Sequence, residues 1–229
     1  MTLDQDTIAA IATPSGRGGI GIIKISGTKS FAIARSIFRP GGSNMSLVSG
    51  TAKADQKSEQ LEFETHRIYY GHIVDPDKGR LLDEVLLSAM KAPRTYTRED
   101  VVEINAHGGA VVLHAILKLV LRKGARFAEP GEFTKRAFLN GRIDLTQAEA
   151  VIDIINARTQ KNLALATGQV TGRLRQVLVS IRSQLIDILT RLEAAIDFPE
   201  DVEALIEPGG TAQTVEKEVV EPLKRLIRY

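Results

Sequence analysis

The first place where this sequence could do chemistry is a short strand with three polar residues on one face. In the run Val101 to His107, alternation puts Val102, Ile104 and Ala106 on one face and Glu103, Asn105 and His107 on the other. A carboxylate, an amide and an imidazole then line one surface. The strand runs out into Gly108-Gly109, which lets backbone or a ligand approach closely. The same pattern also fits a solvated sheet face that ends in a strand-to-helix turn. A second candidate is Lys24, inside the Ile-rich run Ile20 to Ser26 and on the face of Ile22 and Ser26. A buried, unpaired ammonium is costly. Lys24 therefore either lies at a sheet edge, where lysine deters edge-to-edge pairing, or meets a carboxylate or a ligand anion. The third is the stretch Arg126 to Ala150, dense in turn formers and charge: Pro130, Gly131, Glu132, Lys135, Arg136, Asn140, Gly141, Arg142 and Asp144. It divides a part of mixed strand and helix from a part that is nearly all helix. Such a junction reads either as a hinge or as a pocket.

The elements that must position these residues follow from periodicity and turn chemistry. Thr7 to Thr13 reads as a first strand. Gly16-Arg17-Gly18-Gly19-Ile20-Gly21 spells G-x-G-x-x-G, but a dinucleotide fingerprint must open a helix, and here a strand follows. The glycines are a tight connection between two strands. Ser30 to Arg39 has helical spacing, and residues 41–64 read as a loop or insertion. His66 to Val74 and Leu82 to Met90 are strands joined by the turn Asp75-Pro76-Asp77-Lys78-Gly79. Pro93 to Asp100 is a polar loop carrying Tyr96, and Ala110 to Arg122 is a helix with Val112, Ile116 and Leu119 in one stripe.

Glu132 to Asn140 reads as a short helix closed by Gly141. Thr146-x-x-Glu149 matches a capping box that would start the next helix. From Thr159 to Asp197 the apolar residues Val170, Leu174, Val177, Ile181, Leu185, Ile188, Leu192 and Ala195 step by three or four. One helix over that span would be roughly 58 Å long and would end at Phe198-Pro199. Thr211 to Tyr229 adds another amphipathic helix. The expected fold is α+β: a mixed-sheet domain over 1–141, followed by a partial helical bundle over 142–229. The bundle's apolar seam wants a further segment, in cis or in trans.

Composition narrows the function classes. The 229 residues are 43% hydrophobic and 25% charged, an ordinary globular balance. Thirty basic against 28 acidic residues give a formal charge of +2, too even to make nucleic acid or membrane the main partner. A local basic patch of Arg17, Lys24, Arg126, Lys135, Arg136 and Arg142 stays open as a direct RNA contact. The absence of cysteine excludes thiol catalysis and thiolate metal sites within this chain. No apolar run is long enough to span a bilayer and no signal peptide is present, so the expected location is cytoplasmic.

Several stretches together resemble one family, the tRNA-modification GTPases called MnmE or TrmE. They are DTIAAIATPSGRGGIGIIKISG, YTREDVVEINAHGG, PGEFTKRAFLNGRIDLTQAEAVIDIINA and LEAAIDFPED, and they span nearly the whole chain in the family's order. The resemblance implies that the N-terminal domain is similar to the folate-binding module of one-carbon enzymes. It implies binding of a tetrahydrofolate derivative, 5-formyl- or methylene-tetrahydrofolate, and a homodimer. It also implies a flavin-dependent partner subunit (MnmG- or GidA-like), with which carbon 5 of the wobble uridine in tRNA is modified. Three positions match the family's folate contacts: Lys24 in IIKISG, Glu103 in DVVEINAHGG and Arg142 in FLNGRIDL. Some family members carry Arg at the first and Lys at the third, an exchange that keeps charge without guaranteeing the same bidentate geometry.

The chemistry agrees with that assignment. A pterin offers an amino group and a ring N–H side by side, and one carboxylate can accept from both. Lys24 and Arg142 would meet the folate's carboxylate tail or one-carbon substituent, or orient Glu103. Asn105, His107 and Tyr96 are further lining candidates. No residue is assigned as general acid, base, nucleophile or metal ligand. The family also carries a Ras-like GTP-binding domain, further helices and a C-terminal motif containing Cys. No G-x-x-x-x-G-K-[ST] occurs here. The resemblance therefore places GTP, magnesium and potassium on a GTPase domain beyond this chain, which alone should hydrolyse no GTP. The contrasting expectation is a purely structural dimerisation and assembly module without a ligand.

Overall fold

The computed structural model describes residues 6–16, 18–41, 62–198 and 210–227. Arg17, most of the insertion-like stretch 41–64, Pro199 and the last two residues lie outside them. The chain divides into two compact units, Met1–Ile143 and Asp144–Tyr229.

The first unit is built on one seven-stranded sheet. Its strands are β1 (Ile8–Ile11), β2 (Ile20–Ser26), β3 (Phe38–Pro40), β4 (Arg67–Asp75), β5 (Arg80–Met90), β6 (Val101–His107) and β7 (Arg126–Phe127). They lie in the order β3-β4-β5-β6-β2-β1-β7. All neighbours are antiparallel except β1 and β7, so the sheet is mixed. Helices α1 (Ser30–Ile37) and α2 (Ala110–Arg122) pack on it. The alternation in β2 and β6 turns Ile23, Ile25, Val102, Ile104 and Ala106 into a core shared with Ile33, Ile37, Leu113, Ile116 and Val120 of the two helices. Ile23, Ile25 and Ile104 have no exposed surface. Truncating such a side chain to alanine costs about 2–5 kcal/mol.

The glycine-rich connection joins β1 to its antiparallel neighbour β2, so it opens no helix. Gly108 is fixed by that connection: a Cβ there would collide with the carbonyl oxygen of Gly18. The run Ser30 to Arg39 departs from the helical expectation. The helix stops at Ile37, and Phe38 turns extended to pair with Ile73. Pro40 disfavours helical geometry in the residue before it, and its register partner is Gly71. A short helix α3 (Glu132–Leu139) follows β7, and Gly141 behind it has φ of +68°. Left-handed geometry suits glycine there.

The second unit is helical: α4 (Leu145–Asn156), α5 (Gln160–Val170) and α6 (Arg173–Asp197). A last helix runs from Gly210–Val215 through a π-helical stretch, Glu216–Val220, into Glu221–Ile227. Two local expectations are corrected here. The capping box that starts α4 is Asp144 with Gln147, not Thr146 with Glu149. The Asp144 carboxylate accepts the N–H of Gln147 and also the Thr146 hydroxyl, which takes Thr146 out of the capping role. The single helix expected over 159–197 is two helices. Gly172 sits at φ +81°, and the chain re-enters helix at Arg173. Apolar spacing runs through such a break without registering it. Along α6, Ile181, Ile188 and Ala195 are buried. Ile181 and Ile188 cluster with Val219, with Val177, Val215 and Leu226 packed beside them. Leu185 and Leu192 of the same seam stay 45% and 37% exposed. Among the described residues no helix is long and apolar enough to cross a membrane.

Candidate functional site

Lys24 and Glu103 are direct register partners on the neighbouring strands β2 and β6. Their side chains meet, with Nζ 3.1 Å from Oε1. The strand β2 lies between β6 and β1, so Lys24 is no edge lysine; of the alternatives open in the sequence, a carboxylate partner is what it has. Both side chains are partly exposed, 20% and 28%. Glu103 is flanked on its other side by Ser88 of β5.

The loop 91–100 brings a ring to this pair. The Lys24 ammonium is 5.2 Å from the centroid of the Tyr96 ring, and the Arg142 guanidinium carbon is 4.8 Å from the same centroid. Cations at such distances are attracted by the ring quadrupole. The Phe133 ring, on α3, is 5.7 Å from Nζ of Lys24. The three residues matched by sequence are therefore joined through Tyr96. A cleft of about 460 Å³ adjoins that ring, lined by Met90, Pro93, Arg94, Thr95, Arg98 and Arg142 together with Tyr96.

The loop is held from several sides. Its Tyr96 hydroxyl is 3.0 Å from the Thr134 hydroxyl, and Asn140 donates to the Thr97 carbonyl at 2.6 Å. Thr97 is buried and hydrogen-bonded to Ser26 at 2.6 Å. Ser26 also donates to Glu99, and Glu99 in turn faces Arg136 at 3.1 Å. Arg136 is 7% exposed, and it also pairs with Asp6 and with Glu132. Glu132 accepts from Arg126 at 2.7 Å, and that bond, with help from Arg136, holds its carboxyl down at about 2. This network fastens β7, α3 and the loop around the candidate site. Sequence reasoning did not single out Glu99, Thr97 and Asp6, although they fall inside the quoted family stretches, because their role depends on Arg136 and Ser26, which are distant in the chain. It also missed Arg94 and Arg98, whose nearness to Arg142 depends on the loop's path.

Ion pairs engage three of the six residues of the basic patch considered as an RNA contact, and among the described residues Lys135 and Arg142 have no carboxylate partner. Arg126 and Arg136 are paired with carboxylates, Lys24 is paired with Glu103, and Arg17 lies outside the described residues. Asn105 and His107 share the face of Glu103 but are engaged with β5. Asn105 donates to the Leu86 carbonyl at 3.1 Å. His107 meets Asp83 at 2.7 Å through Nδ1, and the Asp83 carboxylate raises its pKa above the ordinary histidine value.

A carboxylate set between an ammonium and a hydroxyl-bearing strand, beside an aromatic ring and an arginine-lined cleft, suits a flat, polar heterocycle carrying an anionic tail. Comparison with known proteins agrees with the fold and identifies the lineage. The family described as GTP-binding protein TrmE N-terminus matches residues 7–142, and the MnmE helical domain matches residues 145–228. The tRNA modification GTPase MnmE of Enterococcus faecalis is 51% identical over 206 residues, 89% of this chain and 41% of the relative. The protein of the same name from Streptococcus sanguinis is 50% identical over 222 residues, 96% of this chain and 45% of the relative. That from Acetivibrio thermocellus is 54% identical over 202 residues, 88% and 40%. The chain spans less than half the length of these relatives. With both family regions present in sequence order, the chain belongs to the TrmE (MnmE) family.

Proposed function

We propose that this chain is the tetrahydrofolate-binding and dimerising portion of a GTPase that, with a flavin-dependent partner subunit, modifies carbon 5 of the wobble uridine in tRNA. The observation that carries the folate reading is the Lys24–Glu103 pair set beside Tyr96 and Arg142. Glu103 accepts from the amino group and ring N–H of the pterin. Lys24 fixes the Glu103 carboxylate by holding one of its oxygens. Tyr96 offers a ring face for stacking, and Arg142 supplies positive charge to the anionic end. The folate derivative, when bound, supplies the one-carbon unit; this chain's residues bind and orient it. GTP, magnesium and potassium belong to the GTPase domain of the longer protein. The names of the relatives support the tRNA-modification part of the reading. Titration of the chain with 5-formyltetrahydrofolate tests it: saturable binding at one site per chain is expected, and no binding by folded protein contradicts it.

A second reading has an observation of its own. Ile68, Tyr70 and Leu86 are 68%, 54% and 46% exposed. They point away from the core residues between them in β4 and β5, so they share one face of the sheet. Exposed apolar surface of this kind suits an assembly module. Full dimerisation without folate binding would favour that reading.

A further inference from the structure

The cleft beside Tyr96 carries more positive charge than a single folate needs. Three of its seven lining residues are arginines, Arg94, Arg98 and Arg142, and none is acidic. Among the described residues none of the three has a carboxylate partner, although Arg122, Arg126 and Arg136 of the same unit all do. Their backbone is fixed nonetheless. The Arg94 carbonyl is 2.9 Å from Nε2 of His66. Arg98 lies at φ +58°, a conformation that costs a non-glycine residue energy and persists only when its surroundings impose it. Its guanidinium spends one N–H on the Asn140 carbonyl at 3.1 Å, which leaves further donors of the fork available. Uncompensated arginines on a rigid frame repel one another, and an anion with several separated carboxylates relieves that repulsion.

We propose that Arg94, Arg98 and Arg142 form a subsite for a polycarboxylate tail, so that the site prefers folates carrying several γ-linked glutamates over the monoglutamate. The inference rests on the folate reading above. Each added glutamate brings one α-carboxylate, and Arg presents a planar fork matched to that group. The arginines are exposed, so the preference is moderate and weakens with salt.

The test titrates the chain with the monoglutamate and the triglutamate of 5-formyltetrahydrofolate, at about 50 mM and about 300 mM salt. The triglutamate is expected to bind about tenfold more tightly at the lower salt, with the gap closing at the higher. In Arg94→Ala/Arg98→Ala the triglutamate loses its advantage and the two ligands bind alike. Arg94→Lys/Arg98→Lys retains charge and recovers part of the preference. Equal binding of both ligands by the unsubstituted chain overturns this inference and leaves the folate reading standing. Failure of both ligands to bind overturns the two together. Loss of RNA-oligonucleotide binding in the alanine variant, with no tail-length preference in the unsubstituted chain, assigns the arginines to phosphate instead and also overturns it.

Discussion

Nζ of Lys24 lies 3.1 Å from Oε1 of Glu103, and the two residues face each other across β2 and β6. A cross-strand ion pair at this exposure contributes no more than about 1 kcal/mol to stability. Its larger effect is to orient a carboxylate. Lys24→Met is therefore expected to lower stability by less than about 1 kcal/mol while weakening folate binding about tenfold. Thermal unfolding read beside calorimetric titration checks this. A large stability loss with unchanged affinity would make the pair a structural device only.

Among the described residues of the sheet unit, Glu132 is the most strongly perturbed acid. Arg126, followed by the Glu129 N–H and Arg136, holds it at about 2 against an ordinary 4.5. A depressed carboxyl stabilises the fold above its unfolded pKa, and that stabilisation is lost as pH falls through the folded one. Wild-type stability should thus decline from about pH 4.5 towards pH 2. Glu132→Gln should cost roughly 3 kcal/mol at neutral pH, by leaving two arginines short of a partner, and should flatten that decline. Urea unfolding at a series of pH values reads both effects.

His107 titrates above the ordinary 6.5, first because Asp83 accepts its ring proton and second because of the charge on that carboxylate. A raised imidazole stabilises below its unfolded pKa, and the contribution disappears as pH rises through the folded one. Proton NMR should show the His107 ring titrating above 6.5 in the unsubstituted chain and nearer to it in Asp83→Asn. An unshifted His107 would remove this pair from the β5–β6 contact.

Gly172, between α5 and α6, has φ of +81°. A Cβ there would stand 3.5 Å from Nε2 of Gln147, an ordinary contact, so the penalty of a side chain is in the backbone. Gly172→Ala should destabilise the helical unit by about 1 kcal/mol, as read by denaturant unfolding.

The sequence made the local parts of this molecule legible. Alternation separated Glu103 from Ile104 correctly, and turn chemistry found the β4–β5 hairpin and the glycines that link β1 to β2. What it missed depends on partners distant in the chain. Phe38 carries a helical spacing yet pairs with Ile73, and Arg126–Phe127 becomes a strand only because β1 lies beside it. The helix break at Gly172 was hidden because apolar residues keep their spacing across one left-handed residue. Residue pattern put Lys24, Glu103 and the stretch holding Arg142 forward and family resemblance joined the three as folate contacts, whereas the joining role of Tyr96 and the charges of Arg94 and Arg98 depend on how the loop folds over β2. Glu99 reaches Arg136 from 37 positions away, a relation no local pattern encodes.

The central claim is that Glu103 reads the pterin, and the most direct measurement is calorimetric titration of the chain and of Glu103→Gln with 5-formyltetrahydrofolate. The amide keeps the shape and removes the charge that accepts both donors. The account predicts saturable binding by the unsubstituted chain and at least about tenfold weaker binding by a variant that remains folded. Equal affinity in the two proteins would contradict the assignment of Glu103.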